Sequence, residues 1–181
     1  MIGPVDTLSS RTVYENPWMT VREDTFRRPD GREGIYGVVD KPPYALVIAL
    51  EGTGPEARMM MVEQYRYPLR LRCWEFPQGT APDRAESDPA ELAARELREE
   101  TGLRAERWEP LGLLDVAPGL SSQRGRAFLA TGLTAGAPER EETEADMRTA
   151  WVTRIEFEDR VRAGEITDAQ TIAAYAMLML R

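Results

Sequence analysis

The alternation of apolar and polar positions divides the chain into short strand-like segments and three helical segments. Residues 44–50 form a continuous apolar run, which is typical of a strand buried on both faces. Further strands are predicted at 58–65, 71–76, 110–116, 126–131 and 148–153. Strands interleaved with a few helices indicate an α/β layered domain. The helices are spaced too irregularly for a doubly wound parallel sheet.

The first part of the chain has a different pattern. Strand-like stretches lie at 13–14, 18–26 and 35–39, and the Pro29-Asp30-Gly31 turn signal between the last two predicts a hairpin. Residues 1–10 are expected to form a loose start. The pair Pro42-Pro43 then interrupts the chain. The sequence therefore predicts a small antiparallel β extension over 1–43, followed by the main domain over 44–181.

Capping signals define the three helices. Asp88 is a good N-cap, Pro89 follows at the first helical position, and Gly102 is a stop signal, which together predict a helix over 89–101. The inner face of this helix is expected to be Leu92, Ala93 and Leu97. A second helix is expected to open at Thr153 and end at Gly164, and a third to open at Thr167 with Gln170. The apolar stripe of the third helix predicts core or dimer packing and consists of Ile172, Tyr175, Ala176 and Met179.

Composition restricts the chemistry. The 181 residues include no histidine, which excludes Ser-His-Asp and Cys-His catalysis and leaves mainly carboxylate acid–base chemistry. The single cysteine, Cys73, is expected to be a buried structural thiol in a strand. The net charge of −8 makes the chain a poor partner for nucleic acid or for an anionic membrane. The sequence has neither a signal-peptide pattern nor an apolar run long enough to span a bilayer, so a cytoplasmic location is expected.

Three carboxylates occupy one side of the first predicted helix. Glu96 and Glu100 are four positions apart, and Glu96 and Glu99 are three positions apart, so their side chains are neighbours. Like charges at these spacings destabilise a helix by a few tenths of a kcal/mol per pair. A hard divalent cation would reverse that effect, because carboxylate oxygens are its preferred ligands.

Residues 95–103 read Arg-Glu-Leu-Arg-Glu-Glu-Thr-Gly-Leu, the core of the Nudix box, and the chain thus resembles the Nudix hydrolases. The resemblance implies an α/β/α sandwich with a mixed sheet, and a requirement for Mg²⁺ or Mn²⁺. It implies that Glu96 and Glu100 are metal ligands and that Glu99 is a ligand or a neighbour of the ligands. It also implies that Arg95 orients these carboxylates through an ion pair.

The chain departs from the family pattern in one loop. The pattern expects a glutamate at Ala85 when counted from Gly79, and at Ser87 when counted back from Arg95. Glu86 lies between these positions, so the loop is two residues longer than the pattern. Glu86 is a candidate for the role of this glutamate, in a register that the sequence leaves open.

Two segments, 63–68 and 75–79, resemble the ADP-ribose pyrophosphatase branch of the family. In that branch an arginine at the Arg66 position binds the substrate phosphate, and a glutamate at the Glu75 position lies next to the site. The backbone carbonyl before the box glycine binds metal, and in this chain it belongs to Gln78. A dimer that exchanges the N-terminal hairpin is common in the branch, so a homodimer is expected.

Two loops complete the expected site. Residues 117–124 resemble the substrate loop of the branch, in which Gln123 and Arg124 are candidate substrate-binding residues. Related enzymes often have an acid where Gln123 stands. The acidic loop 139–146 is expected to supply a metal ligand or general base, with Glu144 the best match and Glu142 and Glu141 as alternatives. Tyr14, Trp18 and Tyr36 are candidates for stacking on a nucleobase.

The sequence therefore predicts a metal-dependent Nudix pyrophosphohydrolase that acts on a small nucleotide. The expected substrate is a nucleoside diphosphate linked to another group, most closely an ADP-ribose-like nucleotide sugar. A (d)NTP or dinucleotide hydrolase is an alternative within the enzyme class. A Nudix fold that only binds a nucleotide is an alternative outside it, which the intact set of Glu96, Glu99 and Glu100 disfavours.

Overall fold

A computed structural model describes residues 5–81, 88–140 and 145–181 of the chain. Glu86, Glu141, Glu142 and Glu144 lie outside the described residues, so the roles expected for them stay predictions. The chain divides into two compact units. The smaller unit contains residues 5–43, Ala81 and Asp115–Arg124, and the larger unit contains the other described residues.

The smaller unit is built on a three-stranded antiparallel sheet in the order β1-β2-β3. The strands are β1 (Asp6–Asn16), β2 (Met19–Arg27) and β3 (Glu33–Asp40). The Asn16 side-chain oxygen accepts hydrogen bonds from the backbone N–H groups of Trp18 and Met19, both at 2.9 Å, which closes the turn between β1 and β2. The expectation of a loose start over 1–10 was wrong from Asp6 onward. This polar stretch forms a strand because its backbone pairs with β2.

The larger unit contains a mixed seven-stranded sheet. Its main path runs in the order β10-β5-β4-β9-β8, with β6 paired to β5 and β7 paired to β4. β4 and β9 are parallel, whereas β5 pairs antiparallel with β4, β6 and β10, which confirms the expected mixed α/β fold. The strands are β4 (Tyr44–Glu51), β5 (Arg58–Arg66), β6 (Leu71–Glu75), β7 (Gln78–Thr80), β8 (Arg104–Asp115), β9 (Arg124–Thr134) and β10 (Arg148–Thr153).

Three helices pack in this unit: α1 (Pro89–Thr101), α2 (Arg154–Arg162) and α3 (Ala169–Met179). The predicted apolar strand β4 is buried from Tyr44 to Ala49, and alternate residues of it form a core cluster with α1. That cluster includes Ala45, Val47, Ala49, Leu92, Ala93 and Leu97. Phe157 of α2 stacks on Phe76 with ring centroids 5.4 Å apart and contacts Tyr175 of α3 at 4.4 Å.

Two details of the larger unit differ from expectation. The N-cap of α3 is Asp168, one residue after the expected Thr167, because the Asp168 carboxylate accepts from the backbone N–H of Thr171. The buried face of α3 is Thr171, Ala174 and Tyr175, whereas the expected stripe residues Ala176 and Met179 are exposed. Within the described parts of the chain, every helix is too short or too polar to cross a bilayer.

Candidate functional site

Helix α1 carries two carboxylates on its buried face. Asp88 caps the helix by accepting from the N–H groups of Ala90 and Glu91, and Gly102 ends it with a φ of 75°, as the sequence predicts. Glu96 and Glu100 lie on the same face as the apolar core residues and are only 7% and 1% exposed. Burial of an ionised carboxylate costs free energy unless charges or hydrogen bonds compensate it. The buried face of α1 therefore carries two ionisable side chains at positions where core packing alone would favour an apolar residue such as leucine.

The carboxylate of Glu96 faces the backbone of β7. A Cβ atom at Gly79 would lie 2.8 Å from Glu96 Oε1 and would overlap the rest of the carboxylate. Only glycine, which has no Cβ, allows this close approach, and this explains why glycine occupies this position. Arg95 Nη2 donates to Glu96 Oε1 at 3.2 Å and to the Thr80 carbonyl at 3.3 Å, so Arg95 fastens the helix to β7.

Glu100 contacts the same strand one residue earlier. Its Oε2 accepts a hydrogen bond from the backbone N–H of Gln78 at 3.2 Å. Gln78 and Gly79 pair with Leu46 and Ala45 of β4, which fixes the position of β7 in the sheet. The two buried carboxylates thus lie against neighbouring residues of one short strand, which the sequence did not predict.

Glu99 lies at the edge of this face and is partly exposed. Arg95 Nε is 3.5 Å from Glu99 Oε2, and Arg98 Nη2 is 3.6 Å from Glu99 Oε1. Arg95 therefore contacts both Glu96 and Glu99, the arrangement expected of a residue that orients carboxylates. The backbone carbonyl of Glu99 also accepts from the N–H of Glu139, at 2.9 Å.

Arg66 forms an ion pair with the buried carboxylate of Glu75 and is itself partly exposed. Both residues end their strands, and Arg66 donates from Nε to Glu75 Oε1 at 2.8 Å and from Nη2 to Glu75 Oε2. Burial alone would lower the pKa of Arg66, but its hydrogen bond and charge interaction with Glu75 outweigh burial and raise it. The guanidinium therefore stays charged. Gln78 Nε2 donates to Glu75 Oε2 at 3.1 Å and to Asp168 Oδ2 at 3.3 Å, which extends the network to α3.

Cys73 precedes this network in β6 and is buried, as expected. Burial raises the pKa of the Cys73 thiol, and the negative charge of Glu75 raises it further. A thiol with a raised pKa is protonated near neutral pH and is a poor nucleophile. The geometry therefore supports a structural role for this cysteine.

The residues on both sides of the acidic loop are held near the end of α1. Arg140 Nε donates to the Glu100 carbonyl at 3.1 Å, and Arg140 Nη1 donates to the Met147 carbonyl at 2.5 Å. Asp146 pairs with Arg72 Nη1 at 2.6 Å. These contacts fix the described flanks of the loop that contains Glu144.

Gln123 and Arg124 belong to the smaller unit. Gln123 is 7% exposed and donates from Nε2 to the Pro42 carbonyl at 2.9 Å, while Arg124 Nε pairs with Asp115 at 2.9 Å. Tyr36 of β3 donates its hydroxyl to the Gly119 carbonyl at 2.7 Å. The 115–124 loop is therefore fastened to β3 and the residues after it. The rings of Tyr14, Trp18 and Tyr36 are all partly or largely exposed.

The donor set around Glu96 and Glu100 consists of oxygen atoms, which fits a hard divalent cation. Within the described residues, no three or more Cys, Asp or Glu side chains have the spacing of a ready metal cluster. Mg²⁺ does not require such a cluster, because it retains waters and is commonly held by one or two carboxylates together with substrate phosphates. Gln78 directly precedes Gly79 in β7, and its backbone carbonyl is the further oxygen ligand that the sequence suggested.

Two family models match consecutive parts of the chain. Residues 40–174 match the NUDIX domain family, and residues 5–39 match the nucleoside diphosphate sugar hydrolase N-terminal domain. The first match spans most of the chain, so this protein belongs to the Nudix family and is a Nudix hydrolase.

Individual relatives extend over nearly the whole chain. An ADP-ribose pyrophosphatase of Mycobacterium tuberculosis is 40% identical over 169 residues, which cover 93% of this chain and 80% of that protein. An ADP-ribose pyrophosphatase of Bacillus subtilis is 27% identical over 178 residues, covering 97% and 92%. The solved structure of an ADP compounds hydrolase has a TM-score of 0.82 at 19% identity, covering 99% of this chain and 94% of that chain, which shows a shared fold.

Proposed function

We propose that this protein is a metal-dependent pyrophosphohydrolase that cleaves the diphosphate of an ADP-ribose-like nucleotide sugar. The observation that carries the proposal is the burial of Glu96 and Glu100 on the inner face of α1 beside β7. Similarity to two ADP-ribose pyrophosphatases supports the substrate class. Water attacks one phosphorus, the bridging P–O bond breaks, and the products are a nucleoside monophosphate and a sugar phosphate.

Glu96, Glu100 and the Gln78 carbonyl would hold the cation, with Glu99 as a further ligand or as their neighbour. A bound Mg²⁺ or Mn²⁺ would neutralise the diphosphate and lower the pKa of a bound water. Arg95 keeps Glu96 and Glu99 in place through the contacts described above. Carboxylates that are already positioned need no reorganisation when the substrate arrives, which lowers the cost of reaching the transition state.

Arg66 is the proposed phosphate-binding residue. A guanidinium has five N–H donors, and Glu75 engages the Nε and Nη2 edge of this one. Within the described residues, Nη1 of Arg66 has no hydrogen-bond partner, so the opposite edge can donate to phosphate oxygens. The Arg66 side chain is 38% exposed, whereas its partner Glu75 is 3% exposed.

Glu144 is the proposed general base or metal ligand, with Glu142 and Glu141 as the alternatives in the same loop. The support for Glu144 is that its described flanking residues contact the carbonyl of Glu100 and each other. Gln123 and Arg124 are also proposed as substrate-binding residues. Because the Gln123 amide group donates to Pro42, the side-chain oxygen of Gln123 is the atom we assign to the substrate.

The smaller unit is also the proposed surface of a homodimer. Its sheet exposes large apolar side chains, including Val13, Trp18 and Ile35 at 47%, 71% and 69%. Exposed apolar groups of this kind are common at protein interfaces. Light scattering after gel filtration should give twice the chain mass of 20.4 kDa. A cytoplasmic location stays a prediction from the sequence.

The function is tested by incubating the purified protein with nucleotide sugars, dinucleotides and NTPs, in the presence of Mg²⁺, Mn²⁺ or EDTA. The products are separated by chromatography. We expect AMP and ribose 5-phosphate from ADP-ribose with a metal ion, and no products in EDTA. Preferential turnover of NTPs or dinucleotides would replace the proposed substrate class. Binding of nucleotides without turnover of any of them would show a binding module instead of an enzyme.

A further inference from the structure

The N-terminal turn of α3 is fastened to the segment that precedes the metal-binding helix. The buried Thr171 hydroxyl accepts from the backbone N–H of Phe76 at 2.9 Å. Two residues later, Gln78 Nε2 donates to Asp168 Oδ2 at 3.3 Å. The segment held in this way includes Glu75, which binds Arg66, and Gln78, whose N–H binds Glu100.

The Gln78 side chain bridges two carboxylates. Its terminal nitrogen is 3.1 Å from Glu75 Oε2 and 3.3 Å from Asp168 Oδ2. Only the amide NH₂ can donate to both, because an amide oxygen in that place would face two acceptors. The orientation of the amide group therefore follows from its partners, and each N–H offsets part of the repulsion between the two acids.

Asp168 uses a single oxygen for both of its contacts. Oδ2 accepts from the Thr171 N–H at 2.8 Å, which caps α3, and from Gln78 Nε2. A residue that served only as an N-cap would need the first contact alone. The second contact continues through Gln78 and Glu75 to the guanidinium of Arg66.

We propose that Asp168 is a positioning residue that, through the Gln78 amide and Glu75, fixes the outer edge of Arg66 for the substrate diphosphate. This inference rests on the phosphate-binding role proposed for Arg66. Without the hydrogen bond that Gln78 donates to Asp168, the Gln78 amide is free to rotate. Glu75 then loses one of its donors, and the Arg66 pair is less restrained. The Arg66 side chain then loses conformational freedom when the diphosphate binds, and this loss weakens the binding.

Two substitutions separate this role from helix capping. Serine is also a good N-cap, but its shorter side chain does not extend to Gln78, so Asp168→Ser keeps the cap and removes the link. In Asp168→Asn the amide oxygen takes the place of Oδ2 and accepts both hydrogen bonds. We expect Asp168→Ser to raise KM about tenfold with kcat within about twofold of wild type. The separate variant Asp168→Asn should have the wild-type KM, and both variants should retain the wild-type Tm.

Thr153→Ala is the matched control for helix capping. Thr153 caps α2 with its hydroxyl, away from the proposed substrate contacts. Loss of that cap should lower Tm by about 2–4 °C and leave KM unchanged. A double-mutant cycle completes the design. Gln78→Ala should raise KM as much as Asp168→Ser, and the double variant should add nothing further, because the two residues act through one hydrogen bond.

Calorimetric binding in EDTA provides a readout that does not need turnover. Asp168→Ser should weaken the binding of ADP-ribose, and of inorganic diphosphate, by a factor similar to the rise in KM. If the wild type binds diphosphate but hydrolyses no nucleotide sugar, the proposed function fails while a weaker Kd for Asp168→Ser still supports the inference. Unchanged KM and Kd in Asp168→Ser would overturn it. The inference would also be overturned if Asp168→Asn raised KM and Kd as much as Asp168→Ser does. The same holds if the wild type binds neither ADP-ribose nor inorganic diphosphate.

Discussion

Helices α1 and α2 are both rich in glutamate and arginine, yet they use these residues in opposite ways. In α2, Glu158 and Asp159 pair with Arg162 at 2.9 and 2.7 Å on the exposed surface. In α1, Glu96 and Glu100 turn toward the core and lie against β7. In α2 the acids pair with an arginine of the same helix, and Glu158 also accepts from the Tyr175 hydroxyl. In α1 the two buried acids lie against the backbone of β7.

The two helices have similar compositions and differ in the burial of their acids. We expect this burial to distinguish an acidic helix with a function from a solvated one. Exposed i,i+4 ion pairs contribute only a few tenths of a kcal/mol, so α2 gains little and would lose little by substitution. Burial of a carboxylate is costly unless it is compensated, so Glu96 and Glu100 are expected to depend on groups outside their own helix. The following predictions test this contrast.

The largest expected effect is that of Glu100→Gln, with Glu158→Gln in α2 as the matched control. Glutamine retains an oxygen that can accept from the Gln78 N–H but removes the charge that would bind metal. We expect kcat/KM to fall by at least about 10³-fold. The Tm in EDTA should be unchanged or raised, because one of two neighbouring buried charges is removed. Glu158→Gln should stay within about twofold of wild type.

Steady-state kinetics with saturating Mg²⁺ and a thermal melt in EDTA provide both measurements. Full activity in Glu100→Gln would remove Glu100 from the metal site. A comparable loss in Glu158→Gln would show that the contrast between the two helices is wrong.

The next effect is that of Gly79→Ala. A Cβ at this position would overlap the carboxylate of Glu96, so the Glu96 side chain must move. We expect a loss of about 10²-fold in kcat/KM and a higher Mg²⁺ concentration for half-maximal activity. Gly37→Ala in β3 is the control, because a Cβ at Gly37 meets no atom within 4 Å. Equal Mg²⁺ dependence in both variants would contradict the close approach of β7 to α1.

A smaller effect is expected from Arg66→Lys, compared with Arg162→Lys in α2. Both arginines contact acids through two nitrogens, but only Arg66 pairs with a buried acid, since Glu75 is 3% exposed. Lysine cannot hold Glu75 with two parallel bonds and present a second edge to phosphate. We expect KM to rise about tenfold in Arg66→Lys and to stay unchanged in Arg162→Lys. A change in kcat with KM constant would instead place Arg66 in a role specific to the transition state.

The smallest effect concerns the pH dependence of stability in α2. The hydrogen bond from the Tyr175 hydroxyl, followed by that from Arg162, lowers the pKa of Glu158. A lowered native pKa stabilises the fold above the unfolded value of about 4.3, and the contribution is lost as pH falls through the native pKa. Glu158→Gln should therefore lower Tm by about 1–3 °C at pH 7 and by less with acidification. A Tm difference that stays constant down to pH 2 would rule out this titration.

Local features of the fold could be predicted from the sequence. The bounds of α1, its cap at Asp88 and its end at Gly102 follow from interactions within a few residues, and the structure confirms them. The spacing of Glu96 and Glu100 likewise places them on one face by helix geometry alone. The same holds for the apolar strand β4 and for the capping box of α2 at Thr153.

Contacts between distant segments had no local signal. The strand β7 was not predicted from the sequence, because it forms by backbone pairing with β4, more than thirty residues earlier. The cap of α3 moved to Asp168, whose second partner is Gln78, ninety residues away in sequence. An Asp or Asn before a helix is a general capping signal, so the cap at Asp168 has a local cause. The contact of Asp168 with Gln78 has no such signal in the sequence.

By itself, then, the sequence determined the helix that carries the acids, their spacing and the family whose chemistry they suit. Short-range hydrogen bonds and side-chain periodicity are sufficient for this, since they act within a few residues. Only the tertiary structure decided that Glu96 and Glu100 face the core, that Gly79 makes room for a carboxylate, and that Asp168 is linked to Arg66. These features depend on which distant backbones pair, and pairing is chosen by packing of the whole unit.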